Sequence, residues 1–231
     1  MYTLTHVSKT FRARARGGTV TAVRDLDLSI ADGDWLAIQG RTGSGKSTLL
    51  QLLGGMDRPS SGTVALTGRD VGAMKETQLT GIRAAHIGFV FQTFNLIPTL
   101  SAIENVEAAL VPLGTPSGQR RRRAVQALAA VSLADRAGHL PSELSGGQQQ
   151  RVGIARALVK EPSVLLADEP TGNIDVDTRD EILGLLEQIW TANQLTLVLV
   201  THDSTVAARA ERVAVMHEGQ LSINPTDTWI G

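Results

Sequence analysis

Gly40-Arg41-Thr42-Gly43-Ser44-Gly45-Lys46-Ser47 is the stretch on which the reading of this chain turns. It fits the pattern G-x-x-x-x-G-K-[ST], and its context gives the pattern mechanical meaning. The apolar run Trp35-Leu36-Ala37-Ile38 precedes it, and a helical run from Lys46 to Gly54 follows. The glycines let backbone N–H groups turn inward around phosphate oxygens, and the following helix offers its positive dipole end to the same anion. Lys46 is then placed to neutralise terminal phosphates, and the Ser47 hydroxyl to ligate magnesium. The expected binding segment runs from Gly40 through Thr48. A glycine-rich turn capping an ordinary helix is the bland alternative, and pattern and context together speak against it.

Working outward, two more apolar runs end at polar corners: Val164-Leu165-Leu166-Ala167 before Asp168, and Leu195 to Val200 before Thr201-His202. Strands covered on both faces are almost continuously apolar, so all three runs read as buried parallel strands. Ligands of such sheets bind at the carboxyl ends, so the three corners point to one site. Asp168 and Glu169 put two carboxylates where a strand emerges. One can hold magnesium, and the next can face an attacking water. By itself such a pair is most often a solvated corner. A phosphate loop in the same chain favours the chemical reading, with Asp168 on the metal and Glu169 as base.

The segment Val176 to Ala192 carries Ile182, Leu185, Leu186 and Ile189 at helical spacing. Leu4 to Val7, Val20 to Ile30 and Gly62 to Thr67 suggest an antiparallel side sheet. From Ser101 to Val159 the pattern is mostly helical and rich in alanine, with a break at Pro112 to Gly118, where Gly114 to Gly118 reads as a mobile loop. The expected fold class is α/β: a P-loop NTPase core with a mainly parallel sheet, an antiparallel β side sheet and an inserted helical subdomain. One domain is expected, with residues 1–91 and 160–231 as catalytic core and about 95–159 as the helical part.

Composition bounds the partners. Lysine and arginine number 22 against 23 acids, a net charge of −1, so no basic field argues for nucleic acid or an anionic bilayer. No apolar run approaches the roughly 20 residues of a spanning helix, and any membrane association is expected through another protein. The first residues, Met1 to His6, lack the layout of a secretory signal, and with no cysteine there is no disulfide framework.

Leu144-Ser145-Gly146-Gly147-Gln148 precedes the helical run Gln149 to Val159 and admits two readings. Ser145 and Gln148 have the spacing of a capping box. Two consecutive glycines weaken a helix start but allow close backbone approach to a ligand, which makes a second phosphate-binding helix terminus equally attractive.

Taken together, the phosphate loop, Gln92, Leu144 to Gln148, Asp168-Glu169, Asp175 and His202 resemble the ABC (ATP-binding cassette) ATPases in order and approximate spacing, over essentially the whole chain. The resemblance implies an ATP-hydrolysing subunit that uses ATP and Mg2+. It further implies that Ser145, Gly146, Gly147 and Gln148 form the family signature and bind the γ-phosphate of ATP held on the opposite protomer of a head-to-tail dimer. By the same resemblance Gln92 contacts magnesium or water and reports nucleotide state to a membrane partner, His202 touches the γ-phosphate, and Asp175 lies at the dimer contact. Phe11, followed by the arginine-rich stretch Arg12 to Arg16, is the candidate to stack on adenine, with an apolar core contact as its alternative.

Phe91 to Leu100, Ile103-Glu104-Asn105-Val106-Glu107 and Ala167 to Asn173 are similar to the branch that holds the lipoprotein-releasing, macrolide-exporting and cell-division ATPases; Ile174 stands where many relatives have leucine. The branch implies a homodimer or paired cassettes. It also implies an integral membrane permease with a large extracytoplasmic domain, and a place on the cytoplasmic side of the membrane. A regulatory ATPase acting with a membrane partner on cell-wall or division machinery uses the same residues. Phe94, Leu96, Ile97 and Pro98 form an apolar loop suited to a partner helix or to packing back on the chain. Arg120 to Arg123 reads as a lipid-headgroup patch or, more simply, as the start of a solvated helix.

Overall fold

The computed structural model describes residues 1–12 and 18–223. The arginine-rich stretch beyond Arg12 lies outside the described residues. Contacts divide the chain into two compact units, Met1–Leu79 with the chain from Thr196 on, and Thr80–Leu195. The second unit therefore takes in the strand ending at Asp168 and the helix after it, a wider span than the 95–159 read from helical pattern.

In the first unit, β1 (Tyr2–Arg12), β2 (Thr19–Ile30), β4 (Ser61–Leu66) and β5 (Arg69–Asp70) form an antiparallel sheet in the order β2-β1-β4-β5. This is the side sheet expected from the alternating pattern. Its inward residues, among them Tyr2, Leu4, Val7, Leu28 and Ile30, are buried, and the Tyr2 hydroxyl donates to the carbonyl of Leu53 at 2.9 Å. Strand β3 (Trp35–Gln39) leads through the glycine loop into α1 (Lys46–Leu53), and α2 (Glu76–His86) carries the chain onward.

The second unit begins within α2, at Thr80, and continues into β6 (Ile87–Val90). Helices α3 (Ala102–Ala108), α4 (Ser117–Ala130) and α5 (Gly146–Leu158) follow, and then β7 (Val164–Asp168) and α6 (Val176–Asn193). Strands β6 and β7 pair in parallel, Ile87 with Val164 through Val90 with Ala167. The break expected to reach Gly118 ends sooner. Pro116 caps α4, its carbonyl accepting from the Gln119 and Arg120 N–H groups, and Ser117 and Gly118 are already helical. Proline lacks the N–H that a helix start would leave unpaired, so it is tolerated there.

The chain then returns to the first unit as β8 (Thr196–Thr201), a short α7 (Ser204–Ala207), β9 (Arg212–His217) and β10 (Gln220–Ile223). In that unit β3 lies between β8 and β9, parallel to both, and β10 pairs antiparallel with β9. All six residues of β8 are buried, as its continuous apolar run requires. No helix among the described residues is long and apolar enough to cross a membrane.

Candidate functional site

Helix α1 begins without a side-chain cap: its N-cap is Gly45, at φ 109°. The N–H groups of a first turn have no partner inside the helix, and the N-cap glycine has no side chain to cap them, which leaves room for an anion. A Cβ at Gly45 would lie 2.0 Å from the Ala22 carbonyl oxygen, so no other residue fits. Gly43 also has positive φ, 82°, but nothing lies within 4 Å of where its Cβ would be. The loop is thus backed by strand β2 and open at its crown, where Arg41, Thr42 and Gly43 are exposed.

Lys46 is buried, and its Nζ donates to the Gly40 carbonyl at 2.8 Å and the Arg41 carbonyl at 3.1 Å. An ammonium has three N–H donors, so the lysine braces the loop and keeps one to offer. Ser44 is buried with its hydroxyl unpartnered in the protein, a group that a bound phosphate would satisfy. Ser47 is exposed in the first turn of α1, and Thr48 beside it is half-buried.

The Gly40 N–H donates to the Thr201 carbonyl at 3.1 Å, which sets the end of β8 against the loop. His202, the next residue, is exposed there, and Thr201 Oγ1 accepts from the Asp203 N–H at 3.1 Å to tighten the corner. Phe11 is 40% exposed, so it is not a core contact. It pairs with Val20, two residues before Ala22, and Lys9 Nζ lies 5.0 Å from its ring centre.

In the second unit, Asp168 ends β7 half-buried and Glu169 follows at φ 45°. Left-handed backbone at a non-glycine residue costs energy and persists where the surroundings enforce it. The Glu169 carbonyl accepts from the Gly172 N–H at 3.0 Å. Gln92 and Asn173 are joined both ways: Asn173 Nδ2 donates to the Gln92 carbonyl at 2.9 Å, and Gln92 Nε2 to Asn173 Oδ1 at 3.5 Å. Asp175 caps α6, accepting from the Thr178 N–H at 2.9 Å, and that bond holds its carboxyl below the usual range.

Ser145 caps α5 by a closed capping box: its Oγ accepts from the Gln148 N–H at 3.3 Å, and Gln148 Oε1 from the Ser145 N–H at 3.0 Å. A Cβ at Gly146 would meet Ile174 Cγ2 at 3.5 Å and the Asn173 carbonyl oxygen at 3.6 Å. This unit therefore gathers Gln92, the Glu169-to-Asp175 turn and the Ser145 helix start into one patch. The capping box is formed, and Ser145 remains exposed at the tip of the helix.

Three residues missed in the sequence shape this patch. Asn105, fully buried, accepts from the Ile97 N–H at 2.7 Å and donates to the carbonyls of Ile97, Leu100 and Ser101. Arg156 donates to the carbonyls of Phe94 and Asn95, both at positive φ. Gln150, also fully buried, reaches Pro170. No local pattern announces bonds that span 4 to 62 residues. The arginine run, by contrast, is engaged with its own chain. Arg120 bonds the Thr115 carbonyl, Arg121 pairs with Glu107 at 3.5 Å, and Arg123 reaches Val159 and Glu161.

Ser47 and Asp168 offer hard oxygen donors of the kind Mg2+ takes. Among the described residues no group of three or more His, Cys, Asp or Glu side chains is arranged as a metal cage. Magnesium in phosphoryl-transfer sites relies on one or two protein oxygens, with phosphates and water completing the shell, so each of these oxygens, one in either unit, suits it by its chemistry.

Residues 23–172 match the family profile described as ABC transporter. The chain is 42% identical to the uncharacterised ABC transporter ATP-binding protein YvrO of Bacillus subtilis (strain 168), over 97% of this chain and 96% of that one. It is 48% identical to a macrolide export ATP-binding/permease protein, MacB, of Rhodopseudomonas palustris (strain HaA2), over 87% of this chain but 31% of the relative. The chain thus spans about a third of the macrolide-export relatives it matches. Its fold is similar to the dimeric post-hydrolysis state of the ATP-binding cassette MJ0796 bound to ADP and Pi, with TM-score 0.89 and 40% identity, covering 96% of this chain and 97% of that one.

Proposed function

The chain belongs to the ABC transporter family, and from that premise we propose that it is the ATP-hydrolysing subunit of a membrane transporter, working as a head-to-tail dimer. The phosphate loop carries the reading. Its backbone opens outward at Gly43, the start of α1 has no side-chain cap, and Lys46 is braced over the loop. These features make a preformed anion cradle for the phosphates of ATP.

The remaining roles belong to the same proposal. Mg2+, when bound, neutralises charge on the β- and γ-phosphates. Ser47 and Asp168 would hold it, with Gln92 contacting its shell. Glu169 takes the proton of the attacking water, and His202, exposed beside the loop, contacts the γ-phosphate. Phe11 offers an exposed ring on the strand pair that backs Gly45 and stacks on adenine. Ser145, Gly146, Gly147 and Gln148 cover the γ-phosphate on the other protomer, and Asp175 lies at the contact between protomers. Hydrolysis then needs two chains, and closure of the dimer is the step that does mechanical work.

The partner we propose is an integral membrane permease with a large extracytoplasmic domain, which places this chain at the cytoplasmic face. The names of the macrolide-export relatives join ATP-binding and permease in one chain, which supports that pairing. Its docking surface is the loop Phe94 to Pro98, where Ile97 is 44% exposed. Asn105 and Arg156 fix that loop from below, so an apolar surface is presented by a rigid backbone.

The experiment is Glu169→Gln, followed by ATP turnover and light scattering with and without ATP. The expected result is turnover reduced by two or more orders of magnitude, roughly the scale on which general-base catalysis contributes, with an ATP-dependent dimer retained. Turnover near the wild-type rate would remove Glu169 as base.

A further inference from the structure

Gln150 lies in the second turn of α5 and has no exposed surface. A buried amide normally has both of its ends hydrogen-bonded. Here only one end is. Nε2 donates to the Pro170 carbonyl at 2.6 Å, while Oε1 is buried without a partner. Turning the amide over would set Oε1 against another carbonyl oxygen, so donation by Nε2 fixes its orientation.

A lone buried acceptor lowers stability, and a methionine of similar volume would fill the same space without it. Packing therefore does not account for glutamine at this position. What it touches does. Pro170 directly follows Glu169, whose backbone is held at φ 45°, a conformation that must be imposed from outside. The Gly172 N–H holds the Glu169 carbonyl, and Gln150 holds the next carbonyl along the chain.

We infer that Gln150 is a positioning residue for hydrolysis: its amide, by gripping the Pro170 carbonyl, keeps the Glu169 carboxylate in its working orientation. The inference rests on the reading of Glu169 as base. It also gives α5 a mechanical link to that base. The helix that begins at Ser145 bears Gln150 one turn later, so a shift of its start is felt at Glu169.

Gln150→Met removes the donor and the lone acceptor together. Its thermal midpoint should stay within about 3 °C of the wild type, while kcat falls roughly tenfold or more and KM for ATP is unchanged. Gln150→Glu adds a readout that a packing role would not move. A neutral carboxyl can donate to the Pro170 carbonyl, a carboxylate cannot, and burial raises the carboxyl pKa. Its kcat relative to wild type should therefore rise as pH is lowered from about 8.5 to about 6.

Wild-type kcat in Gln150→Met overturns the inference, as does a loss of kcat that only follows a lowered midpoint, or a Gln150→Glu ratio flat across pH. Glu169→Gln is measured alongside. If it too turns over normally, the assignment of the base has failed; if it is impaired while Gln150→Met is not, only the role of Gln150 falls.

Discussion

Thr178 occupies the space that any side chain at Gly147 would need: a Cβ built on Gly147 would lie 2.3 Å from Thr178 Cγ2. The first turn of α6 thus packs directly on the second residue of α5. The other two near atoms of Thr178, Cβ and Oγ1, lie at 3.6 and 3.8 Å, ordinary contact distances. One methyl group therefore decides whether alanine fits. Gly147→Ala should lower the thermal midpoint and ATP turnover together. Thr178→Ser, which deletes that methyl, should be close to wild type alone and should restore much of the loss in the double variant. Thermal unfolding of the four proteins completes the cycle, and additive effects would show that the two residues do not compete for this space.

Lys46 has two jobs, and one substitution removes both. It braces the loop through the Gly40 and Arg41 carbonyls, and it keeps a donor for phosphate. Lys46→Ala removes a charge-assisted contact to an anion, so ATP affinity by titration calorimetry should fall at least about tenfold, which corresponds to about 1.4 kcal/mol. Unchanged affinity would contradict the phosphate-loop reading.

Asn105 uses both ends of its amide on the segment from Ile97 to Ser101 and is fully buried. Asn105→Leu keeps the bulk but leaves the Ile97 N–H without its partner and three carbonyls without a shared donor. A buried unsatisfied group costs about 1–3 kcal/mol, so destabilisation of about 2–4 kcal/mol is expected by denaturant titration. If the loop is the docking surface, permease-stimulated turnover should fall more than basal turnover in membranes that hold both proteins.

The parts legible in the sequence are those whose physics is local. The glycine pattern at 40–47, the apolar runs ending at Asp168 and His202, and the Ser145 and Gln148 spacing each describe neighbours in the chain, and all three recur in the structure. Helix α2 escaped notice because Leu79 is its single buried residue, too little for an apolar period. The left-handed turn at Glu169 was equally invisible, since nothing in Asp168-Glu169-Pro170 demands it. Its supports are the Gly172 N–H and Gln150, and the latter is 20 residues from the Pro170 carbonyl that it holds. Asn105 read only as part of a branch-like segment, because its value lies in four bonds to a loop that bends back over it.

Lys160 provides a test of burial that does not depend on any assigned role. Its Nζ donates to the Arg83 carbonyl, and burial pushes its ammonium down to about 8, below the ~10.4 of an unfolded lysine. Between those values the unfolded chain binds more protons than the folded one, so the contribution of this group to stability rises with pH. The penalty of holding the charged form is fully present below about 8 and is gone once pH passes ~10.4. Lys160→Met keeps most of the apolar stem and has no charge to desolvate. The midpoint of Lys160→Met minus that of the wild type should therefore decrease steadily from about pH 7.5 to about pH 10. A difference that stayed constant over that range would mean that the ammonium keeps its water in the folded protein. A difference that grew would mean that it has found an anionic partner instead, since the wild type would then lose a favourable interaction as the lysine deprotonates.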